Sequence, residues 1–238
     1  MSGVLQLMST NSTRGVLDEL LRRYASQGGP RVELHVDTAK LTRARLQAGA
    51  AADAVVLSAP MLHEFEAAGR IEPGSLRPFG RARIGVGVRR GFAKPDIGSV
   101  HALREALLAA RAIAHTRDGA SGRCIPQLLQ ELGIAEALQG RIVTREGGPI
   151  GPVVVEGEAD LALQQLPELM GVPGIEVVGL LPEELQRTFD TASAMLADTR
   201  QPRAARALLD YLAQPEHREV FESRGLEPLG ESRCARTQ

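Results

Sequence analysis

From its first residues the chain alternates short apolar segments of strand type with longer segments repeating at helical spacing, and that order admits few folds. Val4–Met8, Val32–Val36 and Ala54–Ser58 read as strands; Thr13–Ala25, Leu41–Ala48 and Pro60–Ala68 read as helices. Strand and helix in succession build a sheet with helices on its faces, an α/β fold. In the first helix Val16, Leu17, Leu20, Leu21 and Tyr24 share one face while Asp18, Glu19, Arg22 and Arg23 take the other, so this helix covers a sheet.

A stretch containing Pro and Gly, Glu72-Pro73-Gly74 through Phe79-Gly80, separates this series from a second one. That one reads strand Arg83–Val88, helix Val100–Ala110, strand Arg111–Ala114, helix Gly122–Glu131, strand Arg141–Val143, a helix around Val153, and strands Asp160–Gln164 and Ile175–Leu180. Thr188–Leu196 is extended in pattern, and helices Pro202–Ala213 and Pro215–Gly225 follow. The expected organisation is two lobes, residues 1–80 with 190–238 and residues 81–189. The chain would cross between them near Arg81 and again near Thr188, forming a double-stranded hinge.

Composition then removes several functions. Aromatic residues make up 3% with no Trp, which leaves little for base stacking or a sugar platform. The formal charge of −1 is spread among interspersed charges, so no global field draws the chain to DNA or an anionic membrane. No apolar run approaches the ~20 residues of a membrane span. Nucleic acid and membrane insertion are therefore not expected, and any anion preference must be local. Cys124 and Cys234 read as reduced thiols, and no secretory leader precedes the first strand. The expected location is cytoplasmic as the sequence stands, and periplasmic if a leader was removed.

Three strand-to-helix junctions are rich in small hydroxyl residues: Ser9-Thr10-Asn11-Ser12, Asp37-Thr38-Ala39-Lys40 and Thr116-Arg117-Asp118-Gly119-Ala120-Ser121-Gly122. Each sets hydroxyls beside the backbone N–H groups that open a helix, where partial positive charge favours an anion. Ligands of open α/β sheets gather at such strand C-termini. The plainer reading is that each Ser, Thr or Asn caps its helix. Arg14, Lys40, Arg117 and Arg123 lie close to the same junctions, and an arginine fork matches a planar carboxylate; the plainer reading of each is a solvated surface charge. His115 follows a strand and precedes the third junction, which makes it the candidate acid or base if the protein is an enzyme, against a half-buried structural imidazole. The other histidines, His35, His63, His101 and His217, lack metal-ligand spacing, so neither a protein-ligated metal nor a cofactor is expected. Gly85-Val86-Gly87-Val88-Arg89-Arg90-Gly91 lacks the third glycine and the following helix of a dinucleotide loop.

The early strand with its Ser/Thr turn (Leu7–Thr13), the segment Leu46–Asp53 before a strand, Gly157-Glu158-Ala159-Asp160-Leu161-Ala162, and the closing pattern from Pro202 through Leu209, Tyr211, Pro215, Glu216, Phe221 and Gly225 to Pro228 occur in an order that covers nearly the whole chain. Together they resemble the molybdate-binding-protein-like branch of the type 2 periplasmic solute-binding proteins. The resemblance implies a two-lobed α/β fold, each lobe a mixed sheet flanked by helices with a cleft between lobes, a small anionic ligand, and an ABC transporter permease as partner. It carries ligand contacts to Ser12, to Thr38 and Ala39, to Ser121, and to the region Gly148–Ile150; Thr10, Asn11 and Gly122 of the same turns are candidate ligand residues from the turns themselves. The family often has a ligand-contacting Tyr where this chain has Gln165. With Arg14, Lys40, Arg117 and Arg123 nearby, that departure points to a carboxylate rather than molybdate. Two functions follow: binding of a small oxyanion or carboxylate as a solute-binding protein, or isomerisation of a small unsaturated carboxylate, since some members of this branch resemble aconitate isomerase. In the second, His115 or Glu146 would stand near the transferred proton.

Overall fold

The computed structural model describes residues 3–230. Cys234 and the polar tail Glu231–Gln238 lie outside the described residues. In chain order the elements are β1 (Leu5–Thr10), α1 (Arg14–Ser26), β2 (Val32–Asp37), α2 (Ala39–Gln47), β3 (Ala54–Ser58), α3 (Ala59–Ala67), β4 (Arg77–Arg89), α4 (Val100–Ala109), β5 (Ile113–Thr116) and α5 (Ala120–Glu131). There follow β6 (Ile142–Arg145), α6 (Gly151–Val155), β7 (Leu161–Gln165), α7 (Leu166–Met170), β8 (Ile175–Leu180), β9 (Thr188–Met195), α8 (Pro202–Leu212), α9 (Arg218–Ser223) and β10 (Glu227–Pro228). By their internal contacts the residues divide into two compact units, Met1–Arg81 with Asp190–Gln238, and Ala82–Phe189.

In the first unit β1 is flanked by β2 and β3 and runs parallel to both, while β9 runs antiparallel beside β3. Leu46, Val55, Leu57, Leu62 and Phe65 form part of a core that also takes in Ala192 and Ala194 of β9. Chain return is tied by polar groups as well as by apolar contact. The Asp53 carboxylate accepts the Gln6 N–H at 2.8 Å and the Thr199 hydroxyl at 2.6 Å, joining the start of the chain to its last segment. Where the chain leaves and re-enters this unit, Arg81 donates to both oxygens of Asp190, at 2.6 and 2.9 Å. That bidentate bond lowers the Asp190 pKa and raises that of Arg81.

In the second unit β5 lies between β6 and β7, parallel to both, and β4 pairs antiparallel with β7 and β8. Alternation along the strands separates two cores. Ile113, Leu161 and Leu163 face Ile125 and Leu129 of α5 on one side; Ala114 and Ala162 face Ile150 and Val153 on the other.

Most elements lie where hydrophobic period places them. Three differ. β4 starts at Arg77 rather than Arg83, because Gly80 and Arg81 pair with Pro228 and Glu227 of β10 and the Thr191 hydroxyl donates to the Gly80 carbonyl at 2.8 Å. β5 continues to Thr116, so His115 is an interior strand residue. Five-residue α7 was not expected; Pro167 and Glu168 fill its first turn.

Candidate anion site

Parallel strands in each unit deliver their C-terminal ends to one edge of the sheet, and the hydroxyl-rich junctions are the turns that leave those edges. In the first unit a 3-10 turn, Asn11–Thr13, carries the chain from β1 into α1, with the Arg14 N–H bonded to the Asn11 carbonyl. Two of the four hydroxyls are used within the turn. The Thr13 hydroxyl lies 2.5 Å from that of Ser9 and 3.0 Å from the Thr10 carbonyl, and the Ser9 hydroxyl donates to the Val56 carbonyl at 2.8 Å. Ser12, 5% exposed, takes no part in these bonds, and Thr10 and Asn11 are half-buried beside it. At the next junction the Thr38 hydroxyl accepts the Leu41 N–H at 3.3 Å and so caps α2; Ala39 is half-buried and Lys40 exposed in the first turn. Arg14 is exposed and pairs with Asp18 at 3.6 Å.

The junction in the second unit is built differently. After β5 the N–H groups of Arg117 and Asp118 bond the carbonyls of Arg145 and Glu146, at 2.8 and 3.0 Å, which prolongs the β5–β6 ladder past the strand ends. The first helical bond of α5 runs from the Arg123 N–H to the Gly119 carbonyl at 3.2 Å. Ala120, Ser121 and Gly122 precede it, so their N–H groups have no partner within the helix. A methyl at Gly122 would lie 1.9 Å from the Thr116 carbonyl oxygen, and one at Gly119 would lie 2.8 Å from the Thr116 hydroxyl; the turn closes only with glycine at 122. Beneath it Thr116 is 2% exposed and its hydroxyl has no hydrogen-bond partner. Ser121, also 2% exposed, stands in the first turn of the helix. Arg117 and Arg123 are exposed beside it, and Arg117 pairs with Glu146 at 3.6 Å.

A buried, unbonded hydroxyl is costly unless something completes it. Here it packs against Gly119 and Gly122 in the turn that opens a twelve-residue helix, whose first N–H groups carry partial positive charge. That combination suits an oxyanion.

One more polar cluster ends on this edge. Gln164 accepts the Ile150 N–H at 2.8 Å and donates to the Gly148 carbonyl at 2.9 Å and to Glu168 at 2.6 Å; Gln165, 7% exposed, donates to Glu168 at 3.2 Å. Continued from Ala114 opposite Ala162, the β5–β7 register sets Thr116 level with Gln164 on the same face. Burial alone pushes the Glu168 carboxyl up to about 8, although the residue keeps some exposed surface. His115 lies otherwise than its sequence position suggests. It shares the face of Ile113, is 4% exposed, and its Nδ1 meets the Thr116 carbonyl at 2.7 Å; burial lowers its pKa. A cavity of about 370 Å³ opens at the other edge of this sheet, lined by Arg89, Phe92, Arg111, Gly157 and Asp160 among others. It belongs to none of these turns.

The sequence model of a bacterial extracellular solute-binding protein family matches residues 5–227. This chain belongs to that family. A curated relative, aconitate isomerase of a Pseudomonas species, is 33% identical over 233 residues, covering 94% of this chain and 88% of the relative. The periplasmic molybdate-binding protein of Azotobacter vinelandii superposes with a TM-score of 0.77 at 19% identity, covering 93% of this chain and 98% of that one. The substrate-binding domain of a putative molybdenum ABC transporter from Clostridium difficile gives 0.74 at 12% identity, covering 95% and 99%. The fold is that of the periplasmic solute-binding proteins among which these structures fall, and the family to which the chain belongs is one of solute-binding proteins.

Thr116 and Glu168 were not among the ligand or catalytic residues expected from sequence. A threonine at the end of a strand resembles any other until its hydroxyl is found without a partner. Glu168 had a legible signal, since Gln165-Leu166-Pro167-Glu168 places Pro and Glu as a helix start does, but nothing local shows that its carboxyl lacks a cation.

Proposed function

We propose that this solute-binding protein takes a small di- or tricarboxylate, one carboxylate of which is held by the α5 N-terminus, the Thr116 hydroxyl and Ser121. The observation that carries this reading is the buried Thr116 hydroxyl without a partner, packed against Gly119 and Gly122 in the turn that opens α5. Within the first unit, Ser12 with Thr10 and Asn11, and Thr38 with Ala39, are the proposed anion-contacting residues. Arg14, Lys40, Arg117 and Arg123 favour carboxylate over molybdate, because exposed pairs such as Arg14–Asp18 and Arg117–Glu146 are weak and exchange readily. An ABC transporter permease is the proposed partner, and the family supports a place outside the cytoplasm. Calorimetry with citrate, cis- and trans-aconitate, sulfate and molybdate tests the reading: the carboxylates should bind more tightly, and tight molybdate binding without a carboxylate response refutes it.

A second reading is favoured by the 33% identity to aconitate isomerase. In it the bound substrate would lose a proton from a carbon α to one of its carboxylates and regain one on reprotonation. Incubation with cis- or trans-aconitate in deuterated water, followed by NMR, distinguishes the two. Interconversion or deuterium incorporation supports the isomerase; binding without either leaves solute binding alone.

A further inference from the structure

The Gln164–Gln165–Glu168 cluster contains a proton whose position can be traced. Gln164 is fixed in one orientation, because its Oε1 accepts the Ile150 N–H at 2.8 Å and its Nε2 donates to the Gly148 carbonyl at 2.9 Å. The remaining hydrogen on Nε2 goes to Oε2 of Glu168 at 2.6 Å. An amide nitrogen donates and cannot accept, so Gln164 cannot receive a proton from Glu168. Gln165 is held differently. Its Nε2 lies 3.2 Å from Oε1 of Glu168, and turning the amide over would offer its carbonyl oxygen at the same place. A carboxyl at about 8 keeps its proton at pH 7, and that proton then has the Gln165 oxygen as its acceptor. The orientation in the structure, with both amides donating, is the one that suits the ionised carboxylate.

Surrounding charges do not take over this role. β7 carries no charged residue. Glu176 of β8 is half-buried and pairs with Lys94 at 2.9 Å, which lowers its pKa. On the β6 side Arg145 pairs with Glu158 and Glu146 with Arg117; on β4 Arg83 pairs with Glu183 and Arg89 lies over Phe92. Burial is the single cause acting on Glu168, and none of these groups contributes to it.

We propose that Gln165 and Glu168 form a proton-linked anion selector, in which protonated Glu168 turns the Gln165 NH₂ group toward the ligand edge and ionised Glu168 turns it back. This rests on the reading that the edge holds a carboxylate. The protonated state offers the anion a donor and a neutral neighbour; the ionised state offers it a carbonyl oxygen and a second negative charge. Anion binding therefore takes up a proton above pH 8, and affinity falls there by up to about tenfold per pH unit, the limit for one linked proton.

Citrate titrated by calorimetry at pH 7 and pH 9, each in two buffers of different ionisation enthalpy, measures both effects. Wild type should take up close to one proton per citrate at pH 9 and little at pH 7, with affinity lower at pH 9. Glu168→Gln should bind with neither proton uptake nor this loss. Binding with no uptake at pH 9, or a pH dependence that survives Glu168→Gln, overturns the selector while the carboxylate reading stands. Failure of wild type to bind citrate or aconitate at either pH overturns the carboxylate reading. In that event the free protein decides the rest: the side-chain NH₂ signals of Gln165 should move with the Glu168 titration near pH 8, and signals that stay still overturn the proton-linked turn as well.

Discussion

The junctions that open α1 and α5 look alike in sequence and differ in what their hydroxyls do. At the first, the two protons of Ser9 and Thr13 are shared between these hydroxyls and the Val56 and Thr10 carbonyls, so half of the hydroxyl residues hold the turn together. At the second, the ladder to Arg145 and Glu146 consumes the Arg117 and Asp118 amides, and Thr116 is left buried with nothing to bond. A hydroxyl-rich helix start is thus not in itself a ligand site. The distinguishing property is a polar atom that the fold desolvates without completing.

Glycine substitution should separate the two junctions most strongly. Gly122→Ala drives a methyl to 1.9 Å from a backbone oxygen, so it should cost at least about 2 kcal/mol of stability and disrupt the turn. Gly15→Ala in α1 meets only the Arg224 side chain at 3.6 Å and should be neutral or stabilise by up to about 1 kcal/mol. Denaturant midpoints of the two variants check this, and equal losses would erase the contrast.

Exchanging hydroxyls for methyls comes next. Thr116→Val should leave stability nearly unchanged while weakening carboxylate binding by about 1.5–3 kcal/mol, the worth of a hydrogen bond to a charged group. Thr13→Val should do the reverse, costing about 1–3 kcal/mol of stability because the buried Ser9 hydroxyl loses its neighbour and one donor is removed from the turn, with little change in affinity. Melting curves and citrate calorimetry on both proteins make the crossed comparison.

The extent to which this was readable beforehand follows from what each feature depends on. The α/β order and the place of the hydroxyl turns rest on local periodicity and local residue type, and both were legible. The length of β4 was not, since Pro78 and Gly80 read as breakers, and the pairing of Gly80 and Arg81 with β10 comes from residues distant in sequence. His115 was expected near the proton chemistry because it follows an apolar run; one further strand residue and the alternation of faces put it in the core instead. The unbonded Thr116 hydroxyl and the cation-free Glu168 depend on neighbours distant in sequence.

The pH dependence of stability should also differ between the units, by smaller amounts. Glu168 is raised from 4.5 to about 8, so between those values the folded protein holds a proton that the unfolded chain releases. Its contribution is full below pH 4.5 and is lost as pH rises toward 8, with a slope of at most about 1.4 kcal/mol per pH unit. Glu168→Gln should flatten that decline. His217 in the first unit is lowered by burial, as His115 is in the second. Their effect has the opposite sign: present above pH 6.5 and lost as pH falls below it toward their folded values. Chemical denaturation from pH 5 to 9 resolves the two trends. The smallest effect belongs to the exposed pairs, where Asp18→Asn or Glu146→Gln should change stability by no more than about 0.5 kcal/mol.

The most direct measurement is an amide NMR titration with citrate at pH 7, run on wild type and on Thr116→Val. In wild type the N–H signals of Ala120, Ser121 and Gly122 should move together with a single binding curve, and in Thr116→Val the same signals should move at clearly higher citrate. Citrate binding that leaves these three signals in place, or that proceeds with equal affinity in the variant, would contradict the assignment of the anion to the α5 N-terminus.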